Sequence, residues 1–239
     1  MRAIYGTALA MMMTIGSAMA GERSLVVVEL FTSQGCSSCP PADQLLSDMS
    51  SREDLLPLAF HVDYWDYIGW KDTFAQPQFT DRQEGYRRAV QARYKYTPQM
   101  VIGGVTHAVG NRPMEVFDAL EKHRDLMGQV MLSAEPDDQG GAVVKAYAVT
   151  HNVPEAPMVA LLVNFMPRQT VMITRGENAG HQITYSNVVT RLDAVASWDG
   201  AGELELTLPT LGEGAAALIL QSITDKGYPG PVQAAIRLN

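Results

Sequence analysis

Along the first half of the chain, continuous apolar runs alternate with segments of helical spacing, whereas in the second half short apolar runs follow one another with only turn residues between them. Residues 24–31, SLVVVELF, form an unbroken, largely β-branched run of the kind that suits a strand buried on both faces of a parallel sheet. Leu45, Leu46 and Met49 then recur at helical spacing behind Pro40 and Pro41, which a first helical turn tolerates because its N–H groups have no intrahelical partner. Residues 55–62, LLPLAFHV, read as a second strand, so the first unit is βαβ with a right-handed crossover. A polar stretch from about residue 78 to residue 94 has helical character, and the segment from Gln99 onward reads as two short strands turning at Gly103-Gly104. Asn111 as cap, Pro113 in the first turn and Val116, Leu120 and Met127 on one face predict a closing helix.

From about residue 129 the runs VMLSA, AVVKAYAV, MVALLVNF, TVMIT, ITYSNVV, ELELTL, AALILQSI and AAIRL are separated by Gly, Pro, Asn and Asp, without helical periodicity. Such a series predicts a mostly antiparallel, sandwich-like β domain. The expected architecture is therefore an α/β domain over residues 21–128 followed by a β domain over residues 129–239.

Residues 1–20 are set apart as a cleavable secretory signal, on the evidence of Arg2, the apolar run from Ala8 to Ile15 and the small-residue triplet Ala18-Met19-Ala20. Position 21 is glycine, so no lipid-attachment cysteine follows the cleavage point, and no later stretch approaches the roughly 20 apolar residues that cross a bilayer. A periplasmic or secreted protein without a membrane anchor is expected. The net charge of -8 and the lack of a long Lys/Arg block argue against binding nucleic acid through its phosphates. No cofactor is expected.

The chain has two cysteines, and FTSQGCSSCPP (residues 31–41) holds both. Secretion would place them where disulfides persist. A bridge between Cys36 and Cys39 closes only about four residues, worth about 2 kcal/mol on the chain-entropy estimate, so stability alone is a poor reason for the pair. Lying between a strand end and a helix start, Cys36 meets the positive end of the helix dipole and its free N–H groups, which lower a thiol pKa. It is the expected attacking sulfur, and the more buried Cys39 the resolving one. The Ser37 and Ser38 hydroxyls can hydrogen-bond the thiolate, and no fixed cation lies between the cysteines.

The order strand, C-x-x-C, helix, followed later by Thr97-Pro98 just before a strand, resembles the thioredoxin-like superfamily over residues 24 to about 128. ELFTSQGCSSCPPAD, with RGENAG and then NVV in the C-terminal half, is more closely similar to an uncharacterised family of secreted bacterial thioredoxin-like proteins known only as a domain of unknown function. The resemblance implies a thioredoxin-like first domain and a redox-active disulfide between Cys36 and Cys39. It also implies a cis Pro98 opposite the cysteines, leaving the backbone of Thr97 to pair with an extended substrate. Glu29 is then either a buried acid acting as proton relay beneath the cysteines or an ordinary strand-end carboxylate.

Tyr64, Trp65, Tyr67 and Trp70 follow the second strand and either line a substrate groove or pack against the β domain. Asp63 and Asp66 are read as caps or turn residues. Arg175, Glu177, Asn178, His181 and Asn187 lie in or just after a glycine-punctuated loop that either reaches the cysteine edge or is a hydrogen-bonded turn. The leading expectation is a thiol-disulfide oxidoreductase acting on cysteine-containing proteins or small disulfides, recharged by an electron donor the sequence does not identify. The alternatives are a Cu(I) carrier using both thiolates, with His61, His107 or Met100 as a third ligand, and a binding module whose first half is inert.

Overall fold

A computed structural model describes residues 24–124, 129–149 and 157–239, so the expected signal segment, Met127 and the boundary near residue 128 lie outside the described residues. The chain runs β1 (Val26–Thr32), α1 (Pro40–Met49), β2 (Leu55–His61), a single 3-10 turn (Asp66–Ile68), α2 (Pro77–Ala89), β3 (Gln99–Ile102), β4 (Thr106–Val109) and α3 (Pro113–Arg124). There follow β5 (Val130–Pro136), β6 (Ala142–Ala148), β7 (Met158–Met172), β8 (Gln182–Trp198), β9 (Glu203–Leu208), β10 (Ala215–Ile223) and β11 (Pro229–Arg237). The fold is mixed α/β, with one eight-stranded sheet and a second sheet of three strands.

The large sheet has the order β11-β10-β7-β8-β2-β1-β3-β4 and so takes strands from both halves of the chain. β1 and β2 are parallel, β3 is antiparallel to β1, and β4 is antiparallel to β3. The two halves join where β8 lies parallel to β2, paired at Val188 and Ala59. Beside that pair Asn187 takes a positive φ of 49° and donates from Nδ2 to the Pro57 carbonyl at 2.8 Å. This side chain satisfies a backbone acceptor where the short ladder offers little else.

Strand alternation sorts the core into faces. Val26, Val28 and Leu30 of β1 pack with Ala42, Leu46 and Met49 of α1 and with Val116 and Leu120 of α3. Val27 and Phe31 point the other way, to Phe60, Phe79 and Tyr86 under α2. In β7, Leu161, Val163 and Phe165 join the α2 face, while Ala160 and Leu162 meet the small sheet β5-β6-β9. The sandwich expected of the second half is thus partly realised, with one of its layers being the far end of the large sheet.

The runs MVALLVNF and TVMIT, expected as separate strands, form the single strand β7, which pairs with β8 over its whole length. Beyond its contact with β10 the β7–β8 pair continues as a two-stranded ribbon, with Arg168 opposite Ser186 and Met172 opposite Gln182. α2 ends at Ala89 rather than near residue 94. In α3 the Val116 N–H bonds to the Arg112 carbonyl, so Arg112 occupies the capping position expected of Asn111. The Gly103-Gly104 turn has φ of 59° and 77°, and a Cβ on Gly104 would stand 2.3 Å from the Gly230 carbonyl oxygen, so a side chain there would push the turn away from β11.

Candidate functional site

β1 ends at Thr32, and the next seven residues turn back to start α1, carrying both sulfurs at the carboxyl edge of the two parallel strands. Cys36 and Cys39 are joined in a disulfide with a Cα–Cα distance of 5.4 Å. The turn is tied by the Cys36 N–H to the Ser33 carbonyl, 3.1 Å, and by the Cys39 N–H to the Cys36 carbonyl, 3.2 Å. Cys39 is the residue preceding Pro40 at the helix start, so Cys36 lies one turn ahead of the helix rather than in it. Cys36 is 2% exposed and Cys39 fully buried, a deeper placement of the first sulfur than its expected role demands. Ser37 and Ser38 are exposed, and Ser38 Oγ stands 3.5 Å from Cys36 Sγ.

Three segments enclose this turn. From the aromatic stretch, Asp72 Oδ2 accepts the Gln34 N–H at 2.7 Å and Trp70 Nε1 donates to Gln34 Oε1 at 2.8 Å. Gly35 lies so near that a Cβ there would meet Trp65 Cβ at 3.3 Å. Trp65 in turn donates from Nε1 to Thr97 Oγ1 at 2.7 Å, linking the stretch to the turn before β3. The Thr97-Pro98 bond is cis. Pro98 lies near α1, since a Cβ built on Gly110 would touch both Pro98 Cβ and Ala42 Cβ at 3.1 Å.

The third segment comes from the β7–β8 ribbon, whose connection holds RGENAG. Asn178, buried, donates from Nδ2 to the Gln34 carbonyl at 2.9 Å and to the Cys36 carbonyl at 3.0 Å. Glu177 Oε2 accepts the Ser37 N–H at 3.3 Å. Gly176 lies against Trp70, with 3.1 Å from its would-be Cβ to Trp70 Cβ. Of the two readings left open for this loop, the structure has the one in which it reaches the cysteine edge. His181 is bonded to the Asn178 carbonyl, Arg175 is exposed, and Asn187 serves the β8–β2 junction.

Glu29 is elsewhere. It shares the α2 face with Val27 and Phe31, opposite the face carrying α1, and is paired with Arg82 Nε at 2.5 Å and the Tyr86 hydroxyl at 2.5 Å. Period-two alternation puts it on the wrong side to lie beneath the cysteines. The acid on the cysteine side is Asp43, four residues after Cys39 and therefore on the same helix face. Asp43 accepts from Thr32 Oγ1 at 2.8 Å, and burial pushes its carboxyl up to about 7, against the attraction of His61 and the Thr32 bond. His61 Nδ1 lies 2.8 Å from Asp72 Oδ2. Burial alone would raise Asp72, but His61 and hydrogen bonds from His61, Gln34 and Phe74 outweigh it and hold the carboxyl below its usual value. Tyr185 stacks edge-on to His61, its hydroxyl raised by burial and by the charges of Asp43 and Asp72. Asp43 Oδ2, His61 Nε2 and the Tyr185 hydroxyl are buried with no hydrogen-bond partner among the described residues. Sequence reasoning missed Asp43, although an acid one turn after Cys39, on the helix face shared with Leu46, was a readable signal.

Tyr64 bonds Gln83, Tyr67 is 82% exposed, and Asp63 and Asp66 take the turn roles expected of them, accepting from Thr80 Oγ1 and the Asp72 N–H. His107 lies on β4 beside Gln99, and Met100 belongs to the core under α1. Among the described residues no cluster of three His, Cys, Asp or Glu side chains is arranged to hold a metal ion. No helix among them is long and apolar enough to cross a membrane.

The model of a family described as "Protein of unknown function (DUF1223)" matches residues 27–221. A crystal structure of a protein from Agrobacterium tumefaciens is similar at 32% identity and a TM-score of 0.79, covering 92% of this chain and 96% of that one. HBP35 of Porphyromonas gingivalis, at 10% identity, shares the fold with a TM-score of 0.61, over 90% of this chain and 74% of its own. No curated protein matches the chain.

Proposed function

From its place in the DUF1223 family, to which the chain belongs, we propose that this protein is a thiol-disulfide oxidoreductase of thioredoxin-like build acting outside the cytoplasm. The observation that carries the reading is the Cys36–Cys39 disulfide at the carboxyl edge of β1, with a buried carboxyl of raised affinity for protons one helical turn behind Cys39. A short bridge contributes little stability, whereas a nearby acid that titrates near neutrality suits a group that takes a proton from a buried thiol.

In the reducing direction, the Cys36 thiolate attacks one sulfur of a substrate disulfide. The Cys36–substrate bond forms, the substrate S–S bond breaks, and the displaced sulfur leaves as a thiolate that takes up a proton. Asp43 accepts the Cys39 proton, Cys39 attacks Cys36 Sγ, the Cys36–substrate bond breaks, and the second substrate sulfur leaves as a thiolate that takes up the proton Asp43 gives back. Counting the proton that Cys36 gave to solvent on ionising, two electrons and two protons pass from the dithiol to the substrate. Thr97 and Pro98, which stand on the same edge, border the route by which an extended substrate approaches, and Trp65 holds Thr97 by its hydroxyl. Attack from Cys36 requires the 175–180 loop to give way, because the sulfur is covered in the disulfide form.

The test uses purified protein and a disulfide-bonded peptide. Cys36→Ser abolishes exchange, whereas Cys39→Ser accumulates a covalent mixed disulfide visible by mass spectrometry. Wild-type exchange rates in both variants overturn the reading.

A further inference from the structure

The loop that reaches the cysteines from the second half brings a negative charge with it. Asn178 fixes the loop by two bonds to the cysteine turn, so the neighbouring Glu177 carboxylate is held at the Ser37 N–H. That amide immediately follows Cys36 and is one of the few local donors, because Pro40 and Pro41 at the start of α1 have no N–H. Among the described residues Glu177 has no ion-pair partner, and the residues between the cysteines are both serine. The other ionisable groups around the turn are Asp43 on α1, His61 on β2, Lys71 and Asp72 in the aromatic stretch, and Arg175 and His181 beside Glu177. Asp72 meets the turn at the Gln34 N–H, two residues before Cys36, and Glu177 is the carboxylate on the amide that directly follows Cys36.

We propose that Glu177 sets the direction of electron flow: by occupying the amide next to Cys36 and opposing negative charge there, it disfavours the reduced pair and makes the protein a donor of electrons to substrate disulfides. This inference rests on the dithiol reading above. Each cycle oxidises the Cys36–Cys39 dithiol to the disulfide and reduces one substrate disulfide to two thiols. A protein dithiol of lower potential, delivering two electrons and two protons, restores the reduced pair. Glu177 acts through the sulfur's surroundings and is a positioning residue, not a catalytic one.

The experiment equilibrates wild type and Glu177→Gln in glutathione redox buffers and counts free thiols by alkylation and mass spectrometry. Wild type is expected to sit on the disulfide side of the glutathione couple. Glu177→Gln shifts the equilibrium constant about fivefold toward the dithiol, about 20 mV for a two-electron couple, and Glu177→Lys shifts it further the same way. The Cys36 thiol pKa, followed by thiolate absorbance, falls in the same order. In about 1 M KCl the difference between wild type and Glu177→Gln shrinks, as expected of an exposed charge. If both proteins exchange but share one equilibrium constant, or if Glu177→Gln moves toward the disulfide, Glu177 does not tune the pair and the dithiol reading stands. A wild type that oxidises reduced glutathione overturns the direction assigned here. A wild type whose disulfide never exchanges overturns the dithiol reading itself.

Discussion

At the scale of single residues, the site is organised around which acids face the sulfurs. Asp43 and Glu29 are both buried carboxyls on or beside β1, yet Asp43 is carried by the helix that starts just after Cys39 and Glu29 meets Arg82. The folded carboxyl of Asp43, near 7, lies above the value of about 3.9 for an unfolded aspartate. Between those values the folded chain binds more protons than the unfolded one, so this group's stabilising contribution is complete at low pH and is lost as the pH rises through 7. Urea unfolding of wild type and Asp43→Asn at about pH 4.5 and about pH 7.5 is therefore expected to diverge. The variant gains roughly 2–4 kcal/mol relative to wild type at the higher pH, and a constant difference would show that Asp43 does not titrate in this window. The same variant slows release of the mixed disulfide, a step read separately by stopped-flow. Alternation along SLVVVELF already placed Glu29 with Val27 and Phe31, but which face α1 would cover was not written in that strand. The identity of the relevant acid was therefore legible only in the spacing of Cys39 and Asp43.

At the scale of elements, β1, α1 and β2 were legible because apolar period and proline position agree at every step. The hairpin at Gly103-Gly104 was equally plain, since two glycines in the left-handed region are what its turn uses. The single strand β7 was not, because Pro167 and the polar residues after it read as a break; with β8 paired alongside, the ribbon carries them at the surface. α2 is bound to the sheet through charge as well as packing: Arg82 meets Glu29, the Tyr86 hydroxyl and Gln221 Oε1 within 3.0 Å, and Gln221 belongs to β10 of the other half. Removing the cation strands a buried carboxylate. Arg82→Ala is expected to lower the unfolding free energy by about 3–5 kcal/mol, and Arg82→Met with Glu29→Gln by clearly less. Chemical denaturation of the single and double variants measures both, and equal losses would mean that the ion pair is not the source.

At the scale of the whole molecule, the halves that differ in sequence rhythm share one sheet. Nothing in their composition foretold the join, because it is made by scattered long-range contacts: the parallel pair Ala59 with Val188, Asn187 on the Pro57 carbonyl, and backbone bonds from Leu25 to Ala235 and from Val232 to Gly103. The clamp of Asn178 on the cysteine turn is of the same long-range kind, spanning 144 positions to Gln34. Asn178→Ala removes two bonds to buried carbonyls, and dithiothreitol is expected to reduce the disulfide several-fold faster in that variant, with the unfolding midpoint lowered. An unchanged reduction rate would show that the loop does not guard the sulfur.

The ribbon of β7 and β8 has one more consequence. Because the loop that clamps the cysteine turn lies 142 to 144 positions beyond it, the nascent chain presents its cysteine pair without that clamp until the distal segment arrives. Before the last strands lock in, any disulfide that meets the unclamped dithiol can take its two electrons by exchange. A chain cut between its halves would lose that clamp, since Glu177 and Asn178 both belong to the second half.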